Sequence, residues 1–262
     1  MSVNPKLKER LVFLAEKYEH PDFLKKDPSQ FMHRYHSVRD QETVAFLAAN
    51  MAFGQRAQIL SHIECILQQA GAHPSEWVQN EGYKQFFTGG TTSFYRMYTH
   101  NDYILFFDTL KLFLDNSDTI GSYICTHHTA ESGFLHETIC SLFPQNCTLV
   151  PHSKNSAAKK MNMLLRWMVR DNSPVDLGLW NSWHSKEQLL IPLDVHVLQE
   201  ATKMGILSPS SSGKLPSATI KTAVLLKEAM QEVFPSDPAK ADFALFGLGV
   251  DTSESNSYYS KV

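Results

Sequence analysis

The chain has 262 residues, 43% of them hydrophobic and 19% charged, with a formal net charge of -3. That length and apolar content are enough for a packed core in one large or two small domains, and they exclude a disordered or low-complexity chain. No run of about 18 apolar residues is present and the first residues lack the apolar stretch of a secretory signal, so a cytoplasmic protein without a membrane partner is expected.

The predicted elements are helical nearly throughout. Leu7, Leu11, Leu14 and Tyr18 follow helical spacing and predict an N-terminal helix. Val44, Leu47, Ala48 and Met51 predict a second, stopping near Gly54. Ile59, Ile63, Ile66 and Leu67 predict a third, stopped by Gly71. Tyr103, Phe106, Phe107, Leu110 and Leu114 predict the next, and Phe134, Ile139 and Leu142 another, ended by Pro144. Met161, Leu164, Leu165 and Met168 form a strong stripe. Leu198 and Met204 follow Asp194, Val224, Leu225 and Met230 lie on the penultimate helix, and residues 243–248 on the last. Segments 170–192 and 208–214 are expected as linkers, and 251–262 as a polar, flexible tail. Alternating runs are scarce, so the fold class is all-α, with about ten helices.

The four cysteines, Cys65, Cys125, Cys140 and Cys147, have no C-x-x-C spacing and are expected as buried apolar groups. The histidine pairs His33/His36 and His127/His128 lack a Cys or carboxylate at ligand spacing, so neither a metal nor a cofactor is expected.

Three features carry candidate chemistry. Residues 151–170 hold Lys154, Lys159, Lys160, Arg166 and Arg170 and not one acid. Three lysines at a helix start read either as a phosphate-binding site or as a solvated basic face. Asp194 sits where a helix begins, after Pro192, and reads as an N-cap. It also lies among Ile191, Leu193, Val195 and Val197, which would partly bury it and make it a candidate catalytic carboxylate. The third feature is Phe53-Gly54-Gln55-Arg56, a tight junction from which Gln55 and Arg56 project.

Together these features resemble the helix-hairpin-helix superfamily of base-excision DNA glycosylases. Asn155-Ser-Ala-Ala-Lys159 occupies the place of the hairpin turn, and Asp194-Val-His196 that of its Asp-x-His motif. Phe53-Gly-Gln55 resembles the early motif whose Gln enters the duplex, and Phe243-Ala-Leu-Phe-Gly247-Leu-Gly249 the last-helix motif. The 35 residues from Lys159 to Asp194 place it nearest the archaeal 8-oxoguanine glycosylase branch. More narrowly, residues 159–170 and 191–196 resemble a bacterial family known only as a domain of unknown function. Asn155 departs from the usual Gly but tolerates a left-handed turn. The four-cysteine motif of endonuclease III is absent, so no iron–sulfur cluster is expected.

The resemblance implies a single glycosylase-like unit over 1–250 with a cleft between two packed helical subdomains, 41–165 and 1–40 with 166–250. It implies a double-stranded DNA partner with a damaged base, such as 8-oxoguanine. Lys159, with Lys160 as the alternative, would attack C1′ and form a Schiff base, and Asp194 would stabilise the cationic sugar. Gln55, Arg56, Lys154, Lys160 and Arg166 would contact nucleic acid, while His196, Asp242 and Phe246 would line the base pocket. Two other readings stay open: a non-catalytic nucleic-acid-binding module of the same fold, and a helical scaffold for a protein partner.

Overall fold

The computed structural model describes residues 3–129, 131–153 and 155–259, with side chains as far as Asp251. The chain is mostly helical. In order the helices are α1 (Pro5–Tyr18), α2 (Val38–Met51), α3 (Arg56–Ala70), α4 (Pro74–Gln79), α5 (Tyr83–Phe86) and α6 (His100–Asn116). There follow α7 (Ile120–His127), α8 (Leu135–Leu142), α9 (Lys159–Val169), α10 (Val195–Lys203), α11 (Ile220–Gln231) and α12 (Ala241–Tyr259). A short antiparallel hairpin, β1 (Ser93–Tyr95) and β2 (Tyr98–Thr99), precedes α6. Among the described residues, no helix is long and apolar enough to cross a membrane.

The helix starts follow local chemistry. Asn4 Oδ1 accepts from Leu7 N–H at 2.9 Å, with Pro5 preset for the first turn. Thr99 and Asp102 close a reciprocal capping box ahead of α6. Thr119 and Thr219 cap α7 and α11 through their hydroxyl oxygens, which accept from Ser122 and Thr222 N–H. Helices α4 and α5 are too short to show a periodic stripe, and α7 has only Ile120 and Ile124 on its buried face, so the sequence reading contains none of the three. On α11 the buried stripe is Ala223, Leu226 and Met230; Leu225, expected inside, is 50% exposed. The last helix runs on to Tyr259, through much of the segment expected as a tail.

The chain divides into two compact units, 24–154 and 1–23 with 155–262. The boundaries expected at 40/41 and 165/166 fall earlier for two reasons. Phe31 and Met32, in a 3₁₀ turn of residues 28–34, are buried and belong with α2. At the second boundary, residues 155–157 pair with 218–220, so α9 starts inside the second unit. Ala157 N–H donates to the Ala218 carbonyl at 3.1 Å, and Ile220 N–H to the Asn155 carbonyl at 3.2 Å.

The core of unit 24–154 is aromatic, with Phe87 stacked on Tyr103 at 4.9 Å and Phe106 on Phe143 at 5.7 Å. Cys140 and Cys147 are buried there, but Cys65 is exposed on α3.

In the other unit, α12 packs on both α1 and α10. Two glycines permit the approach. A Cβ on Gly247 would lie 2.4 Å from Tyr18 Cγ, and one on Gly249 2.7 Å from His196 Cβ. The segment 170–192 is not a linker. Leu177 and Gly178 N–H groups donate to the Trp167 carbonyl at 2.8 and 3.2 Å, Trp180 N–H donates to that of Met168 at 2.7 Å, and the Trp180 ring is buried. Overpacking the α10–α12 contact has a direct test. Gly249→Ala should destabilise the protein by about 1–3 kcal/mol in urea unfolding, whereas an unchanged midpoint would mean that this contact yields freely.

Candidate active site

Lys159 is the first residue of α9, preceded by a constrained turn. Ala158 there has φ 42° and ψ 49°, a left-handed conformation that costs a residue with a Cβ about 1–2 kcal/mol. The turn is held by Ala158 N–H donating to Ser156 Oγ at 3.1 Å and by buried Asn162 Nδ2 donating to the Ala157 carbonyl at 2.7 Å. The left-handed residue is therefore Ala158, not Asn155. Nor is the turn the elbow of a helical hairpin: residues 143–158 between α8 and α9 contain no helix among those described. Pro144 and Pro151 interrupt helix formation, and residues 155–157 pair in an extended manner with 218–220 instead.

Asp194 is the N-cap of α10, and both its oxygens are engaged. Oδ1 accepts from His196 N–H at 3.0 Å, and Oδ2 accepts from Lys159 Nζ at 2.6 Å. The cap and the charge pair are two ends of one carboxylate. Burial opposes the charge on Asp194, but the Lys159 ammonium, its hydrogen bond and the His196 N–H together hold the carboxyl below its usual range. The pair is reachable, with the Lys159 side chain 34% and the Asp194 side chain 17% exposed. Ile191, Leu193 and Val197 are buried as expected, but Val195 is 52% exposed and does not cover the carboxylate.

Arg166 lies two turns after Lys159, on the same face of α9. It is not on a surface for nucleic acid: its side chain is 3% exposed and lies 3.1 Å from Asp242 Oδ2 and 3.3 Å from Asp176 Oδ1. Its guanidinium also covers the Phe243 ring at 4.3 Å. One turn further, buried Arg170 pairs with Asp176, with Asp237 through Nε and Nη2 at 2.8–3.0 Å, and with Glu19 at 2.9 Å. Burial alone would weaken the Arg170 charge; Asp237, Asp176 and Glu19 more than restore it. Burial raises the Asp176 carboxyl against the pull of both arginines. Lys159, Arg166 and Arg170 thus form a ladder of ion pairs along α9, buried at its lower rungs and open at Lys159.

The base-pocket residues expected from sequence lie in the same unit. The Phe246 ring is half-buried and meets His196 at 6.1 Å and Phe23 at 6.2 Å, edge to face. His196 is half-buried too, against Gly249. Asp242 is buried and paired with Arg166, so it is not a free acceptor. Lys160 is half-buried in the first turn of α9. Lys154 lies outside the described residues.

Gln55 and Arg56 belong to the other unit. Gln55 is the exposed N-cap of α3, after Gly54 at φ +125°. The Phe53 carbonyl accepts from Tyr95 Oη at 2.9 Å, and the Arg96 guanidinium covers the Phe53 ring at 4.8 Å. The sequence gives no periodic signal for this support from β1 and β2.

The chain is thus a mostly α-helical protein with an accessible amine–carboxylate pair at the end of a buried ionic ladder. Residues 27–251 match the family described as a protein of unknown function (DUF2400), and the chain belongs to that family. No curated protein and no solved structure matches it.

The lower rungs predict a stability effect. Arg170→Met leaves Asp176, Asp237 and Glu19 without their shared cation and should cost about 3–5 kcal/mol in urea unfolding. Arg170→Lys should recover only part of it, because an ammonium cannot reproduce the fork. Equal stability of Arg170→Met and wild type would remove the ladder from any account of the fold.

Proposed function

We propose that this protein is a DNA glycosylase with abasic-site lyase activity, acting on double-stranded DNA that carries an oxidised base such as 8-oxoguanine. The observation that carries the reading is the 2.6 Å contact between Lys159 Nζ and Asp194 Oδ2 across two helix starts. It unites the two residues that the glycosylase resemblance pairs. In this reading the Lys159 ammonium, whose side chain is 34% exposed, gives up one proton to water, and the resulting amine attacks C1′ of the damaged nucleoside. The N-glycosidic bond breaks, and its electron pair leaves with the base, which takes up a proton. The sugar then opens to an iminium joined to Lys159, from which strand cleavage by elimination follows.

Asp194 is a poor proton acceptor, since its carboxyl is held below the usual range. Its role is electrostatic: it opposes the positive charge that develops at C1′ and on the iminium. The His196 N–H fixes the carboxylate from the other side, so this charge is oriented before substrate arrives. Phe246 and His196, ring edge to ring face, supply an aromatic lining for an extruded base. Lys160 is the phosphate contact beside the pair, and Gln55 and Arg56, in the other unit, are nucleic-acid contacts of that unit by itself. Arg166 takes no part in binding phosphates.

Two substitutions test the chemistry apart from binding. Lys159→Gln removes the amine. Asp194→Asn keeps a cap through its amide oxygen and turns an NH₂ toward Lys159. Each variant should fold and bind an 8-oxoguanine duplex as wild type does, while base release falls by about 100-fold or more. The double variant should be no worse than the poorer single one, because the two groups act on one transition state. Full activity in Asp194→Asn would reduce Asp194 to a helix cap.

A further inference from the structure

Asp242 pairs with Arg166, which shares a face of α9 with Lys159, and has no part in the chemistry above. It lies in the first turn of α12, is buried, and has Arg166 Nη1 at 3.1 Å as its ion-pair partner. Arg166 is shared with Asp176, and Lys159 lies on the same face of α9 two turns earlier. The local group of Lys159, Arg166, Asp176, Asp194 and Asp242 therefore holds two cations and three carboxyls. A base-contact role, which the sequence resemblance assigns to Asp242, would have to break a buried ion pair.

We infer that Asp242 is a positioning residue for the proposed glycosylase reaction: paired with Arg166 on the Lys159 face of α9, it supplies a second negative charge to the electrostatics of the Lys159–Asp194 pair. The inference rests on the glycosylase reading but has its own observable. Burial raises the Asp242 carboxyl to about 6; Arg166 and Lys159 pull it down, and Asp176 and Asp194 push it up. Elements packed against α12 also carry Lys6, Lys8, Glu9, Arg10, Glu16 and Lys17 on α1 with Glu19 after it, His196, Glu200 and Lys203 on α10, and Asp237 and Lys240 before α12. Of these, Glu19 and Asp237 are held by Arg170, and Lys17 by Asp251. Asp194, with its carboxyl lowered, keeps its charge through the range in which Asp242 loses its own.

Two measurements test this. The first is the rate of borohydride-trapped adduct formation on an abasic duplex, from pH 5 to pH 8, for wild type and Asp242→Asn. Above pH 7 wild type should be about tenfold faster or more, the equivalent of about 1.4 kcal/mol. The advantage should shrink toward unity as pH falls through about 6, because protonated Asp242 then resembles Asn. Asp242→Glu should restore part of it. A ratio constant with pH, or near unity throughout, overturns the inference, since a packing or base-contact role would give no such titration. The second needs neither activity nor a variant at Asp242. The Asp242 carboxyl is followed by carbon NMR in wild type and Lys159→Gln, whose lost cation should move the midpoint upward. An unmoved midpoint overturns the inference. A wild-type protein that traps no abasic duplex contradicts the glycosylase reading instead, and the NMR result still decides whether Asp242 is coupled to Lys159.

Discussion

The positions of Lys159 and Asp194 depend on the ion pairs of Arg166 and Arg170 with Asp176, Asp237, Asp242 and Glu19. These side chains are largely withdrawn from water, where an unpaired charge would be expensive. Each arginine must therefore meet its carboxylates, and this fixes both the depth of α9 and its rotation about its axis. Helix α9 cannot turn without tearing Arg170 from three acids. The same rotation brings Lys159, at the start of that helix, to the cap of α10. The site is the place where a buried network reaches solvent.

The cap of α10 has a second consequence. A carboxylate that served only as a cap would leave one oxygen for water, and one that served only as a counterion would be free to rotate. Asp194 divides its oxygens between His196 N–H and Lys159 Nζ, so the local rule for starting a helix also orients the charge. Gly249 extends this inward: it lets α12 approach the backbone and Cβ of His196, which locks the first turn of α10. Both glycines of the last-helix motif are explained by close approach alone, without reference to a ligand.

Much of this was legible in the sequence where the signal is local. Asp194 after Pro192 and Lys159 before the stripe Met161, Leu164, Leu165 and Met168 are both marked by nearby residues. Arg166 misled because charge on a helix normally means exposure. Its burial is decided by Asp176 and Asp242, which are distant in sequence and carry no periodic signal. The turn before Lys159 was misplaced because Asn155 looks like the natural left-handed residue, whereas pairing with 218–220 forces that conformation on Ala158. Segment 170–192 resembled a linker because its order comes from backbone bonds to Trp167 and Met168 and not from a pattern of its own. On α11 Met230 is buried as its spacing implies, but Leu226 and not Leu225 takes the inward place, because two adjacent leucines leave the choice of face to the packing.

The central claim is that the Lys159 amine, held against Asp194, is a nucleophile toward C1′ of a damaged nucleoside. The most direct measurement is borohydride trapping of the wild-type protein on an 8-oxoguanine duplex, with the crosslinked residue located by mass spectrometry of the digested adduct. The account predicts a covalent protein–DNA adduct on Lys159. An adduct located on Lys160, or none on this duplex and none on an abasic one, would contradict it.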